Sequence, residues 1–409
     1  MADVVLRPID PTEFPAFFRT LTETFGEDPT DVAREHDLKV FESDRSLAGF
    51  DGDQIVATAG IYTRDMTLPG GPKPVAGVTV VSVAPTHRRR GLLTEMMRRQ
   101  LTELHESQRE PVAALWAAEG PIYGRFGYGL AASRAVLSGT TSALRLAPGT
   151  DIGTGRIRLV TAEEARPHLA EVYEQVRLTQ IGWLDRRDGW WDHRLHDPEA
   201  WRDGATSLRF ALNTEEDGRV TGYAFYRLKQ FWNSHKDAEV IVVEIAATNP
   251  QAYAALWSFL ANIDLFPVMR KRIAAVDEPL RHQLLDPRGL QMEILDSLWV
   301  RLADVGGALA DRTYATDIDV VFEVADHFCP WNAGRWRLRG GPDGASCSPT
   351  RDPADLAVSA ADLGAAYLGG TRLATLALAG RVVELRPGAL AAANRAFAAD
   401  HEPWCPEVF

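Results

Sequence analysis

Apolar and polar positions along this chain fall into short blocks of changing period. Val4 to Leu6 reads as a short strand, and Glu13-Phe-Pro-Ala-Phe-Phe-Arg-Thr-Leu21 as a helix. Arg45-Ser-Leu-Ala-Gly-Phe50 and Gln54-Ile-Val-Ala-Thr-Ala-Gly-Ile-Tyr-Thr63 flank Asp51-Gly-Asp53, a hairpin with its turn signal. Pro69-Gly-Gly-Pro-Lys-Pro74 predicts a loop. A β-branched run, Val78-Thr-Val-Val-Ser-Val83, ends before Pro85. A basic loop with one glycine follows, Arg88-Arg-Arg-Gly91, and then a proline-free helix runs to Leu101. Val112-Ala-Ala-Leu-Trp-Ala-Ala118 reads as a further buried strand. Mixed strands around one strand–loop–helix unit predict an α/β domain over residues 1–145.

Leu144 to Gly155 is rich in Gly, Pro and Thr and predicts a linker. Residues 156–296 then repeat the first outline. A helix from Ala162 to Thr179 precedes strands Ser207–Leu212 and Tyr223–Lys229, with Asp217-Gly218 between them. Glu239–Thr248 and a helix through Ala252–Leu260 follow, but the intervening Thr248-Asn-Pro-Gln has neither arginine nor glycine. This predicts a duplicated domain without the ligand site. Residues 297–409 form a third, α+β segment. Its strands are predicted at Asp317–Asp326 and Gly334–Arg339, its helices at Ala360–Leu368 and Ala389–Ala398.

A length of 409 residues suits two or three domains. A net charge of −12 argues against a nucleic-acid protein and favours cationic partners. Cys329, Cys347 and Cys405 are widely spaced and contain no CxxC pair, so reduced thiols are expected. The N-terminus lacks a signal-peptide pattern, and no apolar run reaches the roughly 20 residues a membrane helix needs. A cytoplasmic protein is expected. Trp183, Trp190, Trp191 and Trp201 are read as core packing. His193 and His196 have no third ligand near them in sequence, so no metal is expected.

A strand, a basic loop and a helix N-terminus in succession form an anion cradle. The first helical N–H groups lack partners, and the helix dipole adds positive potential. Arg88, Arg89 and Arg90 add charge, Gly91 allows close backbone approach, and the arginines point to a pyrophosphate. The spacing Arg88-x-x-Gly91-x-Leu93 resembles the R/Q-x-x-G-x-G/A signature of the GNAT N-acetyltransferases, with Leu93 where Gly or Ala is usual. Together with Ile122-Tyr-Gly-Arg-Phe-Gly-Tyr-Gly129, it resembles the Eis (enhanced intracellular survival) branch of that superfamily. The likeness spans the chain. It is densest over residues 78–130 and returns at Cys347-Ser-Pro-Thr350, Tyr367-Leu-Gly-Gly370 and the terminal phenylalanine.

The resemblance implies two GNAT-like domains in tandem, the second without an acetyl-CoA site, and then a sterol-carrier-like α+β domain supplying the C-terminal carboxylate. It implies acetyl-CoA as cosubstrate, held by Val81, Ser82, Val83, Arg88, Arg89, Arg90, Gly91, Leu92, Leu93, Thr94, Ala118 and Glu119. Tyr123 is the implied general acid and the carboxylate of Phe409 the implied general base. Glu27, Val80 and Trp116 are the implied acceptor contacts. Val408 stands where the family carries a penultimate acid, with Glu407 one step earlier. The implied acceptor is a primary amine of a cationic molecule, of aminoglycoside, polyamine or lysine type, and the implied oligomer is a hexamer. The alternative is a lipid- or CoA-binding carrier or sensor without transferase activity.

Overall fold

The structure is a computed structural model that describes residues 4–231 and 235–409. Contacts divide it into two compact units. One comprises residues up to Ala132, Ser297–Pro403 and Val408–Phe409; the other comprises Ser133–Asp296 and Trp404–Glu407.

The first unit begins with β1 (Val5–Arg7), α1 (Phe14–Phe25), α2 (Asp31–Leu38), β2 (Ser46–Asp51), β3 (Gln54–Leu68) and β4 (Gly71–Val83). Next come α3 (Leu92–Ser107), β5 (Val112–Trp116), α4 (Gly120–Tyr123) and β6 (Gly129–Leu130). Helix α1 buries Phe14, Phe17, Phe18 and Leu21, the i, i+3, i+4, i+7 stripe that seats a helix on a sheet. Gly26, in the left-handed region, ends it. Helix α2 has no such stripe and buries only His36, so its apolar pattern does not announce it. The Gly/Pro cluster is a loop only at Pro69-Gly70. Pro72 and Pro74 lie inside β4, where β3 is the paired neighbour. The other edge is open there, which lets a strand carry residues without an N–H donor.

The second unit holds β7 (Ser133–Thr140), β8 (Arg156–Val160), α5 (Ala162–Arg177), α6 (Asp188–Arg194), β9 (Arg209–Thr214) and β10 (Val220–Lys229). It continues with β11 (Glu239–Ala247), α7 (Pro250–Ala261), β12 (Val268–Ala274), α8 (Leu280–Gln283) and β13 (Gln291–Asp296). Its seven strands run β13-β7-β12-β11-β10-β9-β8. β7 lies inside the 1–145 span yet pairs here, so Leu144 to Gly155 runs within this unit. Trp183 and Trp191 are core residues, whereas Trp201 is 45% exposed.

The chain then returns to the first unit. β14 (Leu298–Leu302) pairs antiparallel with β5 and β6, completing a seven-stranded sheet β1-β2-β3-β4-β5-β14-β6. After it come α9 (Val305–Asp311), β15 (Ile318–Ala325), β16 (Gly334–Gly341), β17 (Gly344–Pro349), β18 (Leu356–Ser359), α10 (Ala360–Ala366), α11 (Leu373–Leu378), β19 (Val383–Glu384) and α12 (Ala389–Phe397). Their strands form a separate sheet ordered β17-β16-β15-β18-β19. Helix α10 lies directly on β6 and β14. A Cβ at Gly129 would collide with the Ala361 carbonyl, and one at Gly364 with that of Val300. Among the described residues no helix is long and apolar enough to cross a membrane.

Candidate functional site

β4 and β5 run parallel but pair only at Ala76↔Ala113 and Gly77↔Ala114. Beyond Gly77 they separate. β4 also kinks there: Thr58 faces Ser82 and Gly60 faces Thr79, so Val80 and Val81 together oppose Ala59. This is a β-bulge, and Val80 takes a φ of 48°. Gly60 makes room for it, since a Cβ there would lie 2.9 Å from Val80 Cγ2. The Thr58 hydroxyl donates to the Val80 carbonyl at 2.7 Å. The split leaves the β5 side of Val81–Val83 free of strand pairing, an edge to which an extended amide-bearing arm can add as a strand does.

The basic loop follows. Ala84 N–H donates to the Val56 carbonyl at 2.9 Å. His87 is buried, its Nε2 3.0 Å from Asp51 and its Nδ1 2.8 Å from the Thr86 hydroxyl. In the loop so pinned, Arg89 and Gly91 take left-handed φ values of 62° and 84°. Gly91 is the N-cap of α3 and supplies no side-chain cap. The N–H groups of the first turn therefore stay available to an anion. Arg88 Nε donates to the Val83 carbonyl at 3.3 Å, which spares its terminal nitrogens.

These parts wall a cavity of about 540 Å³. Of the twelve residues expected to hold the donor, all but Arg90 line it, and so does Tyr123. Arg90 is exposed on the loop. Thr24, Phe25, His87, Ile122 and Arg125 also line the cavity and escaped the sequence reading. Ile122 and Arg125 lie in the quoted Tyr-Gly-Arg-Phe run, which was a usable signal. Thr24 and Phe25 come from the end of α1, where no pattern marks them.

Tyr123 sits at the end of α4 and is 7% exposed. Its ring packs edge-on to Tyr128 at 5.9 Å. Burial raises the phenol above its ordinary 10, so it keeps its proton. Tyr128 is fully buried, its hydroxyl has no hydrogen-bond partner among the described residues, and the cavity does not reach it. The ring of Phe409 lies on Gly77, where β4 and β5 part: a Cβ on Gly77 would be 3.3 Å from Phe409 Cε2. The half-buried terminus is thus docked in the first unit. Glu27 is exposed just past α1, and Val80 and Trp116 are half-buried; none of the three lines the cavity.

The second unit differs where the first is open. β11 and β12 pair from Glu239↔Val268 to Val242↔Lys271, and Glu244 lies just beyond the split. Arg186 grips Glu244 with two bonds of 2.8 and 2.9 Å. Arg194 and the Tyr223 hydroxyl donate to the same carboxylate at 3.0 and 2.6 Å. Burial would raise the Glu244 pKa, but the two guanidiniums outweigh it and bring it to about 2. Helix α7 is capped by its own Asn249, whose side chain accepts from Ala252 N–H at 2.8 Å. The start of α7 thus carries a side-chain cap where that of α3 has none. A separate cavity of about 380 Å³ in this unit lies among Leu144, Arg145, Asn262 and Phe266.

Comparison with known proteins places these features in a family. Residues 5–131 and 182–302 each match a family model for an acetyltransferase (GNAT) domain, and residues 305–406 one for a sterol carrier protein domain. An uncharacterized N-acetyltransferase of Streptomyces avermitilis is 46% identical over 96% of both chains. The N-acetyltransferase Eis of Mycobacterium tuberculosis is 35% identical, covering 85% of this chain and 84% of its own. The crystal structure of Eis1 from Mycobacterium abscessus superposes with a TM-score of 0.86 at 33% identity, over 99% of this chain and all of that one. With its two GNAT domains and a sterol-carrier-like domain, the chain belongs to the Eis family of GNAT N-acetyltransferases.

Proposed function

We propose that this enzyme acetylates primary amines of cationic acceptors directly from acetyl-CoA, with Tyr123 as general acid and the Phe409 carboxylate as general base. One observation carries the reading. A single cavity is lined both by the uncapped start of α3, with Arg88 and Arg89, and by the buried phenol of Tyr123. A thioester donor held by its phosphates at one end thereby meets a proton donor at the other.

The chemistry assigns a job to each part. An alkylammonium has a pKa near 10, so the amine must first lose a proton. The terminal carboxylate takes it, directly or through one water. The amine nitrogen bonds to the thioester carbonyl carbon, the C–S bond breaks, the departing thiolate takes the proton of Tyr123, and the second proton shed by the new amide nitrogen returns, directly or through water, to the Tyr123 phenolate. No covalent enzyme intermediate forms. The loop and first turn of α3 hold phosphate and move no proton.

Arg88→Ala and Arg89→Ala are each expected to weaken acetyl-CoA roughly tenfold, since a charged hydrogen bond contributes about 1.5–3 kcal/mol. Calorimetric titration checks this, and kcat at saturating donor should be little changed.

The acceptor side is acidic. Glu23, Glu27 and Asp28 are exposed within three residues of Phe25, which with Thr24 lines the cavity. Such a border favours polycations by electrostatic steering. The test is kcat/KM for spermine, an aminoglycoside, a lysine peptide and an uncharged amine of similar size. Rates should rise with acceptor charge and fall with added salt. Equal rates for the neutral amine would remove the cationic assignment. Binding of acetyl-CoA without amine-dependent thiol release would favour a carrier or sensor instead. By likeness to the family we assign a hexamer, which sedimentation tests.

A further inference from the structure

Within the first unit, beside the run from Tyr123 to Tyr128, lies a buried ion pair that the proposed chemistry does not use. The Arg301 side chain, on β14, is fully buried, and its Nη2 donates to Asp326 Oδ2 at 2.6 Å. The other Asp326 oxygen accepts from Phe328 N–H at 3.2 Å and from Cys329 N–H at 2.9 Å. Asn332, also buried, donates to Asp326 Oδ2 at 3.2 Å and to the Leu302 carbonyl at 3.1 Å. Asp326, Phe328 and Asn332 all belong to the residues that match the sterol carrier protein domain. One carboxylate thus fixes both the arginine and the loop that carries Phe328.

Two contacts carry this arrangement to Tyr123. Gly127 takes a φ of 84° and rests on the guanidinium: a Cβ there would run into Arg301 Nη1, with Cζ 2.7 Å away. Phe126 meets Phe328 edge-on at 5.0 Å. Tyr123 to Tyr128 is a closed turn, Gly127 N–H donating to the Gly124 carbonyl at 3.1 Å and Tyr128 N–H to the Tyr123 carbonyl at 3.3 Å. A shift of Gly127 therefore moves Tyr123. Arg301 Nε and Nη1 have no oxygen partner among the described residues, and the nearby Cys329 thiol is a weak acceptor. Buried donors so poorly satisfied destabilise a fold, and folds carry them mainly where function needs the geometry.

We propose that Arg301, held by Asp326, is a positioning residue that fixes where the Tyr123 hydroxyl stands, and that the sterol-carrier-like segment takes part in acetyl transfer by this route. The proposal rests on the reading of Tyr123 as the acid. Neither Arg301 nor Asp326 lines the donor cavity, so both act through the turn.

Two variants test it from the two sides of the contact. Arg301→Lys keeps a charge opposite Asp326 but withdraws the planar group under the turn. Gly127→Ala pushes on the same guanidinium from the turn. Each is read by acetyl-CoA binding, by kcat, and by kcat again in a Tyr123→Phe background. Acetyl-CoA should bind as before, since Arg88, Arg89 and the start of α3 are untouched. The kcat should fall up to about 10²-fold, the effect of displacing a reacting group by about 1 Å. In the Tyr123→Phe background the same change should cost less than about twofold, because the hydroxyl it positions is already gone. Full kcat in both variants while Tyr123→Phe loses its own would overturn the positioning role and leave the acid standing. Equal losses with and without the hydroxyl, the mark of a merely loosened fold, would overturn it as well. Full kcat in Tyr123→Phe itself would instead remove the acid, and with it the positioning role.

Discussion

Tyr123→Phe is expected to lower kcat by roughly 10²–10⁴-fold, the usual contribution of a positioned acid. Acetyl-CoA should bind within about twofold of wild type, because the variant removes one O–H and leaves the ring. That ring belongs to the apolar cluster with Met97, Leu101, Phe126 and Tyr128, which phenylalanine preserves. The pH dependence has a definite sign. Burial disfavours the phenolate, so the folded pKa lies above 10, and the acid stays loaded throughout the neutral and mildly alkaline range. Wild-type kcat should therefore show no alkaline loss below pH 10. The variant must expel an unprotonated thiolate, which becomes tolerable once pH passes the thiol pKa of about 8.5. Its deficit should narrow above that pH. A deficit independent of pH, or near-normal kcat at pH 7, would remove Tyr123 from the acid role.

Appending one residue after Phe409 should be as damaging. The terminal carboxylate becomes a neutral amide, and a proton acceptor near the amine is replaced by a weak donor–acceptor pair. Loss of a positioned base lowers kcat by roughly 10²–10⁴-fold. The Phe409 ring can keep its place on Gly77 and the arginine loop is untouched, so acetyl-CoA affinity should persist. Some rate should return as pH approaches about 10, where the acceptor amine deprotonates unaided. A kcat within about threefold of wild type would show that the terminus is not the base.

The donor side was legible because it is local. A β-branched run, a basic loop with Gly91 and an open helix start occupy one continuous stretch, and each element follows from the residues beside it. Tyr123 came from the family resemblance of the glycine-rich run after β5, and it lies on the cavity wall. What escaped was assembled from afar. Phe25 reaches the cavity from the end of α1 with nothing in its neighbourhood to mark it. β14 completes the first sheet against β5, a partner almost the whole second unit away in sequence. Short β12 and β13 alternate too weakly to stand out. The grouping of Arg186, Glu244 and Glu407 cannot be inferred from spacing, because charged residues scattered along a chain show no periodicity that pairs them. Glu407 read as a displaced penultimate acid, whereas its carboxylate turns inward to Arg186.

In the proposed mechanism one site brings the donor cradle, Tyr123 and the chain's end to bear on an amine. The direct measurement is the initial rate of thiol release from saturating acetyl-CoA, with and without a polyamine or aminoglycoside, for wild type, Tyr123→Phe and the extended chain. Wild type is expected to release thiol only with amine, and both variants to release it about two orders of magnitude or more slowly at equal donor occupancy. Release without amine, or undiminished release from either variant, would contradict it.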